Sequence, residues 1–155
     1  MSVKHRIAAD MKSAMKDGDK DRLGALRMLK SKIQMAEVSL RAEKGRDWEI
    51  DDEHAASALS SYAKQCTDSI ESYEKAGRED LAARERAELE IVRAYLPRQL
   101  DEEEVRRIVE QAIAEAHATS PKDMGAVMKI VMPRVRGAAD GKMVNQCVRE
   151  LLQGS

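Results

Sequence analysis

From Leu26 onward, apolar side chains fall at Leu26, Leu29, Ile33, Ala36 and Leu40, in steps that alternate between three and four. That spacing keeps them on one stripe of an α-helix and excludes a strand, whose faces repeat every two residues. A stripe this long suits burial against an antiparallel helical neighbour. Composition points the same way. Charged residues make up 35% of the chain, aromatics only 3%, and there is no Phe. Tyr, Phe, Trp and Thr, which favour sheets, are nearly absent, whereas Ala, Leu, Glu, Lys and Arg are abundant.

The same pattern recurs along all 155 residues. A first helix is predicted from about Val3 to Lys16, with Ile7, Met11, Ala14 and Met15 on one face and Gly18 free to end it in a left-handed conformation. Asp19 suits the N-cap of the second helix. The polar stretch EKGRDWEIDD then breaks the period, and Trp48 and Ile50 in or beside it can cover one end of the helices. Asp51 or Asp52 can cap a third helix whose seam reads Ala55, Leu59, Tyr62, Cys66, Ile70 and Tyr73, ending near Gly77. A fourth carries Leu81, Leu89, Val92 and Leu96, closed by Pro97, because proline disfavours helical geometry in the residue before it. We therefore read an all-α chain with two domains. Residues 1–97 form about four helices, the long ones antiparallel, and residues 98–155 form a small three-helix domain.

In that second domain, Asp101 and Glu104 outline a capping box for a helix bearing Val105, Ile108, Val109, Ala112, Ile113 and Ala116. Ser120, Pro121 and Asp123 are N-cap, N1 and N3 signals for the next, with Met124, Val127, Met128 and Val131 on its stripe. Pro133 is expected to end or kink it. The turn Gly137–Gly141 leads to a last helix with Val144, Cys147, Val148, Leu151 and Leu152.

Catalytic signatures are missing. No glycine-rich phosphate loop and no zinc-type Cys/His spacing occurs, so neither metal nor cofactor is expected. His5, His54 and His117 stand apart in sequence near helix ends and read as surface residues without a nucleophile or carboxylate partner. Asp51, Asp52 and Glu53 read as an N-terminus favoured by the helix dipole rather than a metal site. Cys66 and Cys147 sit on apolar helical positions, as buried free thiols in a reducing compartment would. No apolar run is long enough for a membrane span or a signal peptide. A cytoplasmic location is the expectation.

Charge is the remaining signal. The net charge of −1 hides an asymmetry: residues 119–155 carry six Lys/Arg against three Asp/Glu, and residues 1–118 carry 21 against 25. Relative to Met124, Lys122, Gly125 and Lys129 stand at offsets −2, +1 and +5. Relative to Val144, Lys142, Asn145 and Arg149 stand at the same three offsets. At about 100° per residue each trio forms one stripe turned away from the core. The matching positions of the preceding helix, Glu103, Arg106 and Glu110, are not basic. Arg134 and Arg136 lie between the two stripes in sequence. Gly137, Gly141 and the amides that open the last helix add places where phosphate can approach the backbone. Such stripes, without aromatics, suit contact with a phosphate backbone and not base stacking. They also serve as solubilising charge. A second basic group, Lys16, Lys20, Arg22, Arg27, Lys30 and Lys32, is diluted by Asp17, Asp19 and Asp21.

Three segments, DKDRLGALRMLKSKI, SIESYEKAGREDLAARERAELEIVRAYLPRQLDEEEV and KDMGAVMKIVMPRVRGAADGKMVNQCVRELL, resemble the GatB/YqeY family and together span nearly the whole chain. The last is the most specific, with KDMG, a VMP step and ADGK–VN–VRELL in order. The resemblance implies a helical N-terminal region followed by a three-helix domain similar to the tail of the tRNA-dependent amidotransferase B subunit. There the tail helps hold tRNA while kinase and transamidation chemistry sits in another domain, which has no counterpart here. It thus implies association with glutamine-dependent carbon–nitrogen ligase systems, with tRNA and an amidotransferase or aminoacyl-tRNA synthetase as partners. It does not imply catalysis by this chain alone. Ala138 stands where family members often carry a basic residue, which removes one expected phosphate contact.

The expectation is therefore a tRNA-associated accessory protein. Lys122, Lys129, Arg134, Arg136, Lys142, Asn145 and Arg149 would face the RNA, and Gly125, Gly137 and Gly141 would allow close backbone approach. Neither DNA nor a membrane is expected as a partner. The alternative is a helical protein–protein interaction module, since the long seams of the second and third helices could pair with another chain.

Overall fold

The computed structural model describes residues 2–154. It is all-α, with seven helices, a 3-10 turn at Pro121–Asp123 and no strand among the described residues. The helices are α1 (Val3–Asp17), α2 (Lys20–Lys44), α3 (Asp52–Lys75), α4 (Glu79–Arg93), α5 (Glu102–Ala116), α6 (Met124–Val135) and α7 (Gly141–Gln153). The chain divides into two compact units, one ending at Leu96 and the other beginning at Pro97. No described helix is long and apolar enough to cross a membrane.

In the N-terminal unit, short side-chain caps fix where each helix starts. The side chains of Ser2, Asp19 and Asp51 accept from the amides of His5, Arg22 and His54, and Gly18 ends α1 at a φ of 68°. These contacts satisfy amides that a helix leaves open at its first turn. Asp51 is thus the cap of α3, while the Asp52 carboxylate accepts from the Val3 amide at 2.9 Å and ties α1 to α3. Contacts between α3 and α4 run in opposed register: Tyr62 meets Glu88, and Cys66 meets Glu85. The pair is antiparallel. The core joins Ile7, Leu26, Leu29, Ile33, Leu59, Cys66 and Val92. Burying each large aliphatic side chain contributes roughly 1.5–3 kcal/mol. The seams of α2 and α3 are therefore buried within this unit. Helix α4 stops at Arg93, short of Leu96, so Pro97 is not what ends it. The turn that follows buries Tyr95, whose hydroxyl donates to Asp10 and whose ring lies under Arg6.

The buried stripe of α2 holds one charged residue, one turn beyond Ile33. Glu37 is the single buried charged residue among those described. It lies just beneath the surface, covered by its partners. One carboxylate oxygen accepts from the Ile50 amide (2.9 Å) and Lys4 Nζ (3.1 Å), the other from Arg41 Nη2 (3.2 Å). Arg41 Nε in turn donates to the Trp48 carbonyl at 3.0 Å. One carboxylate thereby joins α1, α2 and the connection to α3. The Ile50 amide, with Lys4 and Arg41, outweighs burial and holds the Glu37 carboxyl below the ordinary carboxylate range.

The C-terminal unit is a three-helix core of small aliphatic side chains. Val105, Val109 and Ala112 of α5 meet Val127, Val131 and Val135 of α6 and Val144, Val148 and Leu152 of α7. Asp101 accepts from the Glu104 amide at 2.8 Å and opens α5. Asp123 reaches back to the amides of Thr119 (2.9 Å) and Ser120 (3.3 Å), and the chain enters α6 through the 3-10 turn. Pro133 does not end α6. Its ring is exposed, only one backbone donor is lost, and buried Val131 and Val135 hold the last turn in place. The segment after α6 is fixed by two bonds, from the Leu100 amide to the Ala138 carbonyl (2.8 Å) and from Gln99 Nε2 to the Gly137 carbonyl (3.0 Å).

Two outcomes are expected in urea denaturation. Pro133→Ala restores a helix donor at an exposed position and stabilises the protein by about 1 kcal/mol or more. Glu37→Gln removes the charge that Lys4 and Arg41 face, so the variant is less stable than wild type. Because the folded pKa is depressed, that difference is fully present above about pH 4.5 and shrinks as pH falls through the lower folded value.

Candidate nucleic-acid interface

The arginines on and just ahead of α5 are matched by carboxylates within the unit. Arg106 bridges to Glu150 on α7 at 3.1 Å and to Glu102 at 3.8 Å, and Arg107 pairs with Glu103 at 2.8 Å. Arg98 pairs with Glu104 at 3.0 Å. Arg134, one of the expected phosphate ligands, is engaged too: it meets Glu115 at 2.8 Å. The Arg134 guanidinium holds the Glu115 carboxyl below the ordinary range, so the pair stays ionised at neutral pH.

The two stripes differ from this. Lys122, Lys129 and Lys142 are exposed and carry no acidic partner among the described residues. Arg149 is exposed and donates to Asn145 Oδ1 at 3.3 Å, a neutral partner that orients it without cancelling its charge. Lys142, Asn145 and Arg149 line a shallow groove along α7 together with Gly141 and Glu150. Lys122 lies in the 3-10 turn ahead of α6, so its stripe starts on tighter backbone than the expected α-helix. Arg136 is half-buried and engaged within the chain.

The glycines separate into two kinds. Gly125 and Gly141 are exposed, and a side chain added at either would meet nothing within 4 Å, so the backbone there is open to a ligand. Gly137 is buried at a φ of 78°, and its carbonyl is bonded to Gln99. It shapes the turn and cannot offer its backbone to phosphate. The amides that open α7 are also less available than expected: Asp140 caps the helix, accepting from the Lys142 amide at 3.2 Å. A carboxylate at that end competes with an incoming anion.

Two groupings escaped sequence reasoning because tertiary packing assembles them. Cys66, Glu85 and Glu88 bring possible ligand atoms within 4.8 Å of one another across α3 and α4. Burial pushes the Cys66 thiol up to about 11, and Glu88 already accepts from the Tyr62 hydroxyl at 2.7 Å. At neutral pH the group is a hydrogen-bonded contact between helices, with the thiol protonated. His54 is likewise not a plain surface residue. Its side chain is 17% exposed, its Nδ1 lies 2.7 Å from Asp51 Oδ1, and its ring meets Trp48 edge to face at 5.3 Å. His5 and His117 are exposed; His117 takes a left-handed φ of 54° at the end of α5.

Comparison with known proteins gives a relative and a family. Over 151 residues the chain is 28% identical to a protein of Pyrenophora tritici-repentis (strain Pt-1C-BFP) named "Altered inheritance of mitochondria protein 41, mitochondrial". The match covers 95% of this chain and 79% of that protein. The family model described as Yqey-like protein matches residues 4–152, through both units and every helix, and the chain belongs to that family.

Proposed function

We propose that this protein is a tRNA-associated accessory factor that holds the RNA backbone on its C-terminal unit and performs no chemistry of its own. One observation carries the reading. In a unit where Arg98, Arg106, Arg107 and Arg134 are all neutralised by carboxylates, Lys122, Lys129, Lys142 and Arg149 stand exposed without one. Solubility alone would not separate paired from unpaired cations in this way. Phosphate neutralisation by several cations releases counterions and gives affinity that falls steeply with salt. The resemblance of α5–α7 to the amidotransferase B-subunit tail supplies tRNA as the RNA, and a glutamine-dependent amidotransferase or an aminoacyl-tRNA synthetase as the enzyme served. The two free, buried thiols suit a reducing compartment, and we place the protein in the cytoplasm.

Titration of total tRNA into the purified protein at several salt concentrations tests this. Lys142→Glu/Arg149→Glu is expected to weaken binding by at least about tenfold and to flatten the salt dependence by about one phosphate per residue. Arg134→Ala changes little, because Glu115 already holds that guanidinium, whereas Glu115→Gln frees it and strengthens binding. Micromolar or weaker binding at low salt that ignores the double substitution would sink the site.

A further inference from the structure

Helix α2 carries a second seam on the side opposite its buried one. Gly24, Met28, Ser31, Met35, Val38 and Ala42 follow one another in alternating steps of four and three, and all six are exposed. Met35 is 63%, Val38 57% and Met28 43% exposed. The steps are those of the a and d positions of a helical heptad and continue for five turns, about 27 Å along the axis. Apolar side chains placed singly on a surface call for no explanation, but Met28, Met35 and Val38 aligned on one heptad seam do. Methionine adapts its shape to a partner, and Gly24, Ser31 and Ala42 let another backbone come close.

The residues beside the seam decide what fits. Arg27, Gln34 and Arg41 flank one edge, and Ala25, Lys32 and Ser39 flank the other. No acidic residue occurs from Arg22 to Ala36. The next one, Glu37, is buried beneath Lys4, Arg41 and the Ile50 amide. Two copies of this seam would set Arg27 against Lys32, like charges that oppose pairing. RNA would gain nothing from the methionines and Val38. We propose that the outer face of α2 docks an amphipathic helix of another protein, with small or aliphatic residues on its contact stripe and Asp or Glu on both flanks. This surface belongs to the N-terminal unit and does not depend on RNA binding by the C-terminal one.

The probe is a fluorescent synthetic helix of three heptads with Leu at a, Ala at d and Glu at e and g, titrated into the full-length protein and read by anisotropy. A second peptide with Lys in place of Glu is the control. Saturable binding of the Glu peptide is expected. It should be weakened at least about tenfold by Met35→Glu and by Arg27→Glu, and the Lys peptide should not bind. These side chains are on the surface, and thermal unfolding by circular dichroism checks that each variant is folded; Met28→Glu replaces any that is not. Equal affinity for the two peptides, no binding, or indifference to both substitutions would overturn the proposal. So would a wild-type dimer in sedimentation that Met35→Glu dissociates, because the occupant would then be a second copy. Loss of tRNA binding on Met35→Glu, with tRNA displacing the peptide, would make the surface an RNA site and overturn it as well.

Discussion

Every helix in this protein must bury a narrow stripe of small or medium aliphatic side chains, because the chain has no Phe and a single Trp. Such a stripe excludes water only if helices approach closely along their length. The C-terminal core meets that demand with valine at seven of its buried positions, whose stiff side chains lose little freedom on packing. The N-terminal core meets it with longer helices carrying Leu, Ile and Ala. The narrowness of the stripes has a second consequence. Most of each helix circumference is left outside the core, and a chain that is 35% charged places its charges there.

How those charges are distributed is what separates one surface from another. On α5, both arginines are matched by carboxylates, within the helix and across to α7. On α6 and α7, cations at matched offsets are left without acids, while Arg134 is withdrawn by Glu115 and Arg136 is engaged within the chain. On α2, Glu37 is turned inward, where it pairs with Lys4 and Arg41 and fastens the loop ahead of α3. An exposed ion pair adds little stability. Its effect here is on availability, since a cation already matched by a carboxylate has less to offer a phosphate.

The family match runs through both units, yet the two surfaces differ in chemistry. The outer stripes of α6 and α7 are polar and cationic with open glycine backbone, which is the character of phosphate-binding surfaces. The outer α2 face has an apolar centre with cationic edges, the character of a helix-docking seam.

The helix count, the N-caps at Asp19 and Asp101, the core positions and the cationic stripes were legible in the sequence because each depends on neighbours within a turn or two. The heptad run from Leu26 to Leu40 and the doubled offsets of Lys129 and Arg149 are of this kind. Tertiary structure decided what local rules cannot reach. It turned Glu37 into a buried anchor by bringing Lys4 and the Ile50 amide to it. It gathered Cys66, Glu85 and Glu88 from two helices, and paired His54 with Asp51 against Trp48. It also withdrew Arg134 and Gly137 from the expected interface and carried α6 past Pro133, because core contacts there outweigh one missing hydrogen bond. Period and capping are properties of short segments, so the sequence alone determined the helices and their apolar faces. Whether a given charge is free or matched depends on what packing sets beside it, and only the folded chain decided that.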